Sequence, residues 1–283
     1  MAIDYRLDGR SLAISFAPFL DLWTEQTPFL PNLHSGDVGW HLRLAEQDLV
    51  DVFRIWEHDG LPVAAGMTDG GALRLAVSPD WMGSGELAEA VAATLDETEY
   101  VDALAGTALR PHLLDLGWSV EPDPWVLLYT ELTPAHAAHD DPGTRPLTGS
   151  ADVEARTAVQ RSAFSPGSTF HPDLWQNMTT GPSYDPRFEM LTWTTDGEPA
   201  AAATGWFAGS NRCAILEPVG THQAHQRRGH GTCVNRGVMA ALARAGASAV
   251  RVHTPASNAA AVAAYEACGL RQVDWTVALM PPG

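Results

Sequence analysis

Apolar positions along this chain follow two beats, every second residue in some stretches and every third or fourth in others, and the beats alternate in a regular order. Toward the C-terminus, ILEPVG reads as a strand and THQAHQRRGHG as a polar loop. From Thr232 the apolar residues Val234, Val238, Ala241, Leu242 and Ala245 recur at helical spacing, until Gly246 ends the helix. AVRVHT (Ala249 to Thr254) predicts a short strand broken by Pro255, and Asn258 is placed to cap a helix running to Gly269. RQVDWTVALM predicts one closing strand with Val273, Trp275, Val277 and Leu279 on a single face. Upstream, FEMLTWTTDGEPAAAATGWF predicts a hairpin turning at Asp196 and Gly197, and VEARTAVQRSAF (Val153 to Phe164) an amphipathic helix.

The first half repeats that order. A group of apolar residues around Phe16, Phe19, Leu20 and Trp23 predicts a helix followed by a Pro- and Gly-rich loop. LVDVFRIWEHDGLPVAAGM predicts two strands joined at Asp59 and Gly60, and GGALRLAVSPDWMGSGELAEAVAATL a strand, a glycine loop and a helix. DGLPVAA echoes DGEPAAA, DWMGSG lines up with QRRGHG, and LLDLGWSVEPDPWVLLYTEL mirrors YEACGLRQVDWTVALM. Three echoes in one order point to an internal duplication. Between the copies, Leu132 to Ser150 lacks apolar periodicity and is the linker candidate, so the expected organisation is 1–132, a linker at 133–149, and 150–283.

Composition narrows the function classes. A length of 283 residues accommodates two ordinary domains, and 45% hydrophobic residues without a long uncharged apolar run describe a globular chain. Lys+Arg 17 against Asp+Glu 34 gives a net charge of −17, which argues against nucleic acid or an anionic membrane surface as partner. The 3 cysteines have no CxxC spacing, and the start MAIDYRLDGR lacks the basic and apolar segments of a secretory signal, so a cytoplasmic setting is expected. His222, His225 and His230 lie in the polar loop, and HAAHD reads as a solvated turn; no metal is expected. Monomer and homodimer are both compatible with the sequence.

The loop before the helix at Thr232 carries the chemistry. A helix N-terminus leaves backbone N–H groups without partners and with the positive dipole end behind them, so an anion fits there. Gly229 and Gly231 let the main chain approach such a group closely, and Arg227 and Arg228 add charge.

Gln226 to Gly231 matches the Q/R-x-x-G-x-G/A phosphate loop of the GNAT acetyltransferase superfamily, and Asn258, Ala261, Tyr265 and Gly269 match its following helix. The chain therefore resembles tandem GNAT proteins. The resemblance implies an α/β (α+β) fold of two units, each a mixed, mostly antiparallel sheet flanked by helices. It implies acetyl-CoA as co-substrate and a small-molecule amine as acceptor. Val219, Thr221, Gln226, Arg227, Arg228, Gly229, His230, Gly231, Thr232, Asn258 and Tyr265 would contact the cofactor, with Tyr265 donating a proton to the sulfur. Glu217, two residues before Val219 and so expected on the same strand face, is the general-base candidate. The segment after the Val153–Phe164 helix lies over the acceptor site in this family, making Phe164, Phe170, Trp175 and Tyr184 substrate-pocket candidates, with core packing as their other reading. In the first copy, Asp80, Trp81, Met82 and Leu113 replace the matching residues, so that copy is expected to wall the cleft. A non-catalytic acyl-CoA sensor and a protein N-terminal or lysine acetyltransferase remain alternatives.

Overall fold

The structure is a computed structural model describing residues 3–26, 33–95, 100–104, 106–276 and 278–282. The first half contributes β1 (Asp4–Asp8), α1 (Arg10–Gln26), α2 (Ser35–His41), β2 (Phe53–His58), β3 (Leu61–Asp69), β4 (Ala72–Val77), α3 (Gly85–Ala92), β5 (Tyr100–Val101), α4 (Leu109–Asp115) and β6 (Ser119–Val120). After it come β7 (Trp125–Glu131), α5 (Pro134–Ala137), β8 (Thr144–Pro146), α6 (Ser150–Ala163), α7 (Pro172–Thr179), β9 (Glu189–Trp193) and β10 (Pro199–Trp206). The chain closes with β11 (Cys213–Thr221), α8 (His230–Ala245), β12 (Ala249–Pro255), α9 (Ala259–Glu266), β13 (Arg271–Thr276) and β14 (Leu279–Met280).

Two seven-stranded sheets result, ordered β1-β2-β3-β4-β5-β14-β6 and β8-β9-β10-β11-β12-β7-β13. The orders match position by position, and the β4/β5 and β11/β12 pairs are parallel in each. The duplication heard in the sequence is therefore a duplication of topology. Both hairpin turns use residues that tolerate positive φ, Asp59 (φ 50) with Gly60 (φ 75) in the first copy and Gly197 (φ 81) in the second.

Each half lends a strand to the other. β7 sits between β12 and β13 in the second sheet, and β14 sits between β5 and β6 in the first. RQVDWTVALM is consequently not one strand: Arg271 to Thr276 pairs with β7, whereas Leu279 pairs with Val101 and Val120 of the first sheet. Val273 is exposed and Leu279 fully buried, so the single-face reading fails; Val277 lies outside the described residues. Alternation records which way a side chain points but not which sheet receives the strand. The linker also differs from expectation, because β8 lies inside it and pairs with β9 as the edge of the second sheet. Its three residues and terminal Pro146 suit an edge position.

Apolar faces explain the layering. Leu12, Phe16 and Leu20 of α1 pack on Phe53 and Ile55, while Leu73, Leu75 and Val77 face Leu87, Val91 and Leu113 of α3 and α4. In the second sheet, Leu216, Val250 and Val252 meet Val234, Val238 and Leu242 of α8. On its opposite face Val159 of α6 packs against Leu191 and Ala202.

Helix α2 stands where the sequence pattern suggests a loop. Its local signal is a capping box: the His34 side chain accepts from Gly36 N–H at 2.9 Å, and Asp37 accepts from His34 N–H at 2.6 Å. Gly36 and Gly39 let α2 lie flat on Trp206 of β10, since a Cβ at either would come within 2.4 Å of the indole. Because His34 Nδ1 is an acceptor, Nε2 carries the proton and donates to Cys213 O at 3.0 Å. This stitches the first half to the second sheet.

Burial, reinforced by the Arg251 charge, lowers the His34 pKa from 6.5 to about 4. The unfolded chain therefore binds the proton first as pH falls. Stability is expected to drop from pH 6.5 down to about 4, by up to about 1.4 kcal/mol per pH unit for this group. Buried His253, lowered to about 3, acts with the same sign. Urea unfolding at stepped pH reads this slope, and a flat profile across that window would contradict it.

Candidate active site at the fork between β11 and β12

The parallel strands β11 and β12 pair only at Cys213–Ala249, Ala214–Val250 and Ile215–Arg251, although they continue to Thr221 and Pro255. Beyond Ile215 they fork. The cause lies in β11, where Glu217 and Pro218 stand opposite the single Thr204 of β10: Leu216 pairs with Gly205 and Val219 with Ala203. The extra residue is a bulge that bends the strand, and Pro218 has no N–H to offer a neighbour. Trp206 Nε1 donates to Glu217 O at 2.5 Å and holds the bulge in place.

This bulge overturns one expectation. Counting by twos put Glu217 on the face of Val219, but the slipped alternation puts Val219 with Leu216, on the α8 side. Glu217 turns instead toward α2 and the first half of the chain. A proline inside a strand was the available signal.

At the mouth of the fork, Gly229 (φ 87) is the N-cap of the 16-residue helix α8, and no side chain caps it. Arg227 (φ 63) is also left-handed, so the main chain between Gln226 and His230 curls around the helix end. Gln226, Arg227, Arg228 and Gly229 are exposed, and His230, Gly231 and Thr232 half-buried. A Cβ at Gly231 would lie 3.0 Å from Thr221 Oγ1, so this glycine keeps the gap between the loop and β11 open. The first copy differs at the same place. There Ser84 Oγ accepts from Leu87 N–H at 3.2 Å and occupies the end of α3 itself.

The loop histidines have local duties. His222 accepts from Ala224 N–H at 3.2 Å, and His225 Nε2 lies 3.4 Å from Glu198. Among the described residues no group of three or more His, Cys, Asp or Glu side chains converges as for a metal.

Tyr265 projects from α9 into the apolar cluster below α8 and is buried. Burial raises its pKa, and the nearby Glu217 carboxyl raises it further, so the two candidates share one electrostatic environment. Asn258 Oδ1 accepts from Ala261 N–H at 3.2 Å and caps α9, which fixes the helix that carries Tyr265. Glu217 has a side chain about a quarter exposed. Burial raises its pKa well above the glutamate range, and Asp37 raises it further through its charge and a hydrogen bond. Asp37 and Arg74, both from the first half, were not singled out in the sequence. Arg74 Nη2 donates to Asp37 Oδ1 at 2.7 Å, and its Nη1 lies 3.9 Å from Glu217 Oε1.

The four aromatic candidates separate. Phe164 is 47% exposed and lies against Gly220, where a Cβ would come within 3.2 Å of its ring, so it stands beside the open part of β11. Phe170 is buried against Trp40, with ring centroids 5.2 Å apart. Trp175 Nε1 and Tyr184 Oη both donate to Glu189 Oε2, at 2.8 and 2.6 Å. Glu189, fully buried, also accepts from Arg156 Nε at 2.8 Å. These two aromatics are thus tied into a polar network under the sheet.

A family model described as Acetyltransferase (GNAT) family matches residues 155–270, the segment that contains the fork, the loop and Tyr265. A tandem GNAT protein from the clavulanic acid biosynthesis pathway, in a structure without AcCoA, aligns over 98% of this chain and 97% of its own at 14% identity, with a TM-score of 0.59. The chain has the tandem GNAT fold, and residues 155–270 match the family model. A GNAT-family acetyltransferase from Colwellia psychrerythraea aligns with this chain at a TM-score of 0.62, 15% identity and coverage of 99% and 98%. A GCN5-related N-acetyltransferase from Sphaerobacter thermophilus gives 0.56, 18%, and coverage of 99% and 96%. No curated protein sequence matches this chain. No helix among its described residues is long and apolar enough to cross a membrane.

Proposed function

We propose that the second half of the chain transfers an acetyl group from acetyl-CoA to a primary amine of a small molecule. The observation that carries this reading is the fork. It leaves β11 from Glu217 to Thr221 unpaired with β12, with an uncapped helix N-terminus at one end and Glu217 and Tyr265 at the other.

The residues present fit acetyl-CoA. When bound, it supplies an acyl group activated as a thioester. The N–H groups of Gly229 to Thr232, with Arg227 and Arg228, hold the diphosphate at the start of α8. Gln226, His230 and Asn258 border that group. The main chain of Val219 and Thr221 offers hydrogen bonds to an extended arm laid along β11 and to the acyl oxygen. Glu217 takes the proton that the amine nitrogen loses on acylation. Tyr265, whose raised pKa keeps its hydroxyl protonated, gives a proton to the departing sulfur. Phe164 stands at the acceptor side, while Phe170, Trp175 and Tyr184 shape the wall behind it. The thiols of Cys213, Cys233 and Cys268 are unpaired, which suits the reducing cytoplasm.

The deciding experiment measures thiol release from acetyl-CoA against a panel of small amines, peptides with free N-termini and lysine peptides. Turnover with a small amine is the expected result; tight acetyl-CoA binding without turnover across the panel would replace the enzyme by a sensor. Gly229→Ala separately tests the loop. An L-residue at this positive φ costs about 1–2 kcal/mol, so the loop relaxes and CoA affinity should fall about tenfold in calorimetric titration. Unchanged affinity would remove the loop from the site.

A further inference from the structure

The carboxyl of Glu217 does not stand alone. Asp37, from α2, meets the same guanidinium: Arg74 Nη2 donates to Asp37 Oδ1 at 2.7 Å and Arg74 Nη1 lies 3.9 Å from Glu217 Oε1, and two carboxyls brought together at one cation favour keeping a proton on one of them. We propose that Asp37, from the first half, and Glu217, from the second, hold one proton between them as a single acid–base unit, which a cationic acceptor discharges on entering. The second clause rests on the amine-acetyltransferase reading; the first does not.

The geometry assigns the proton to Glu217. Asp37 Oδ1 accepts from Arg74 Nη2 at 2.7 Å and Oδ2 from His34 N–H at 2.6 Å, so both its oxygens are engaged by donors that favour the charged form. Glu217 has Arg74 only at 3.9 Å, too far for a hydrogen bond. The remaining neighbours do not reverse this. Asp69 is 3.8 Å from Arg74 and 3.5 Å from His41 Nε2, and so shares the Arg74 guanidinium with the pair. Arg43 faces Asp69 and Glu217, Asp102 and Arg251 flank Arg74 and Asp37, and Glu121 acts on Asp102. His34 and His253 are neutral near pH 7, lowered by burial to about 4 and about 3, and Tyr265 keeps its proton.

Two carboxyls against the one guanidinium in contact with them leave one negative charge to be balanced. In the empty site the proton on Glu217 balances it. When an ammonium group enters, its charge replaces that proton, which leaves to solvent and yields the carboxylate that catalysis needs. The ammonium first gives one proton to this carboxylate, which releases it to solvent, and so becomes a neutral amine with a free lone pair. As the N–C bond forms and the C–S bond breaks, the nitrogen's surplus proton passes to Glu217, while Tyr265 supplies the proton taken by sulfur and regains one from solvent. Asp37 is in this scheme a positioning residue, acting through Glu217.

The test needs no acceptor. Carboxyl carbon NMR of protein labelled with [13C]glutamate follows each glutamate through a pH titration, and Glu217→Gln assigns the resonance. The expected result is that Glu217 titrates far above an ordinary glutamate, that Asp37→Asn brings its midpoint down, and that Arg74→Gln raises it. An ordinary midpoint in the unmodified protein overturns the proposal even if neither variant folds, as does a midpoint that Asp37→Asn leaves unmoved. Failure of the amine-acetyltransferase reading would show instead in the thiol-release panel, with the titration intact.

Discussion

Replacing Glu217 by Gln is expected to lower kcat/KM for the acceptor amine by about 10²–10⁴-fold at neutral pH, the usual contribution of a positioned general base. Gln keeps the size of the side chain and a donor toward Asp37. The bond from Trp206 Nε1 goes to the backbone carbonyl of residue 217, so the bulge and the fork survive the change. The loss should therefore appear in the chemical step and not in folding or in acetyl-CoA affinity, since the loop proposed to hold the diphosphate lies at the other end of the unpaired part of β11. Tyr265→Phe should in turn change acetyl-CoA affinity far less than Glu217→Gln changes the rate. Steady-state thiol release with each variant, together with CoA binding, separates these effects. A Glu217→Gln enzyme with the parent rate would remove this residue from the mechanism.

The largest expected effect on stability comes from Arg156→Met. Arg156 and Glu189 are both fully buried, with Nε and Oε1 2.8 Å apart, and Arg156 also donates to Gln160 Oε1 at 3.1 Å and Thr204 Oγ1 at 3.2 Å. Removing the guanidinium strands the Glu189 carboxylate, which costs about 3–5 kcal/mol. The cost is not the net worth of the pair. Taking both charges away in Arg156→Met with Glu189→Leu should restore part of the loss, although Trp175 and Tyr184 then lose their acceptor. Denaturant unfolding of the single and double variants measures this. A single variant within about 1 kcal/mol of the parent would mean that water or local movement reaches Glu189.

The two effects are connected through the sheet. Glu189 begins β9, Thr204 lies in β10, and Thr204 is the residue that the Glu217–Pro218 bulge straddles. The buried ion pair thus anchors α6 and α7 beneath the part of the sheet where the fork opens.

Most of the architecture was legible in local pattern. Asp59–Gly60 and Asp196–Gly197 mark hairpins because positive φ selects such residues, and Val234, Val238 and Leu242 repeat at the helical period because one face of α8 is buried. The glycine loop was legible for the same reason, since Gly229 adopts a conformation that its neighbours in sequence already signal. Helix α2 escaped because its glycines have poor intrinsic helix propensity, and only Trp206, 167 residues beyond Gly39, explains why they are there.

What the sequence determined by itself was whatever neighbouring residues settle among themselves: the period of each element, the turns, the doubled order, and the glycine loop that opens α8. Tertiary structure decided the rest. It exchanged β7 and β14 between the sheets, because a strand's pattern does not name its partner. It turned Glu217 away from Val219, because one extra residue opposite Thr204 reverses every side chain beyond it. It also set Asp37 against Glu217 across 180 positions of chain, because the proton affinity of a carboxyl depends on which charges fold next to it.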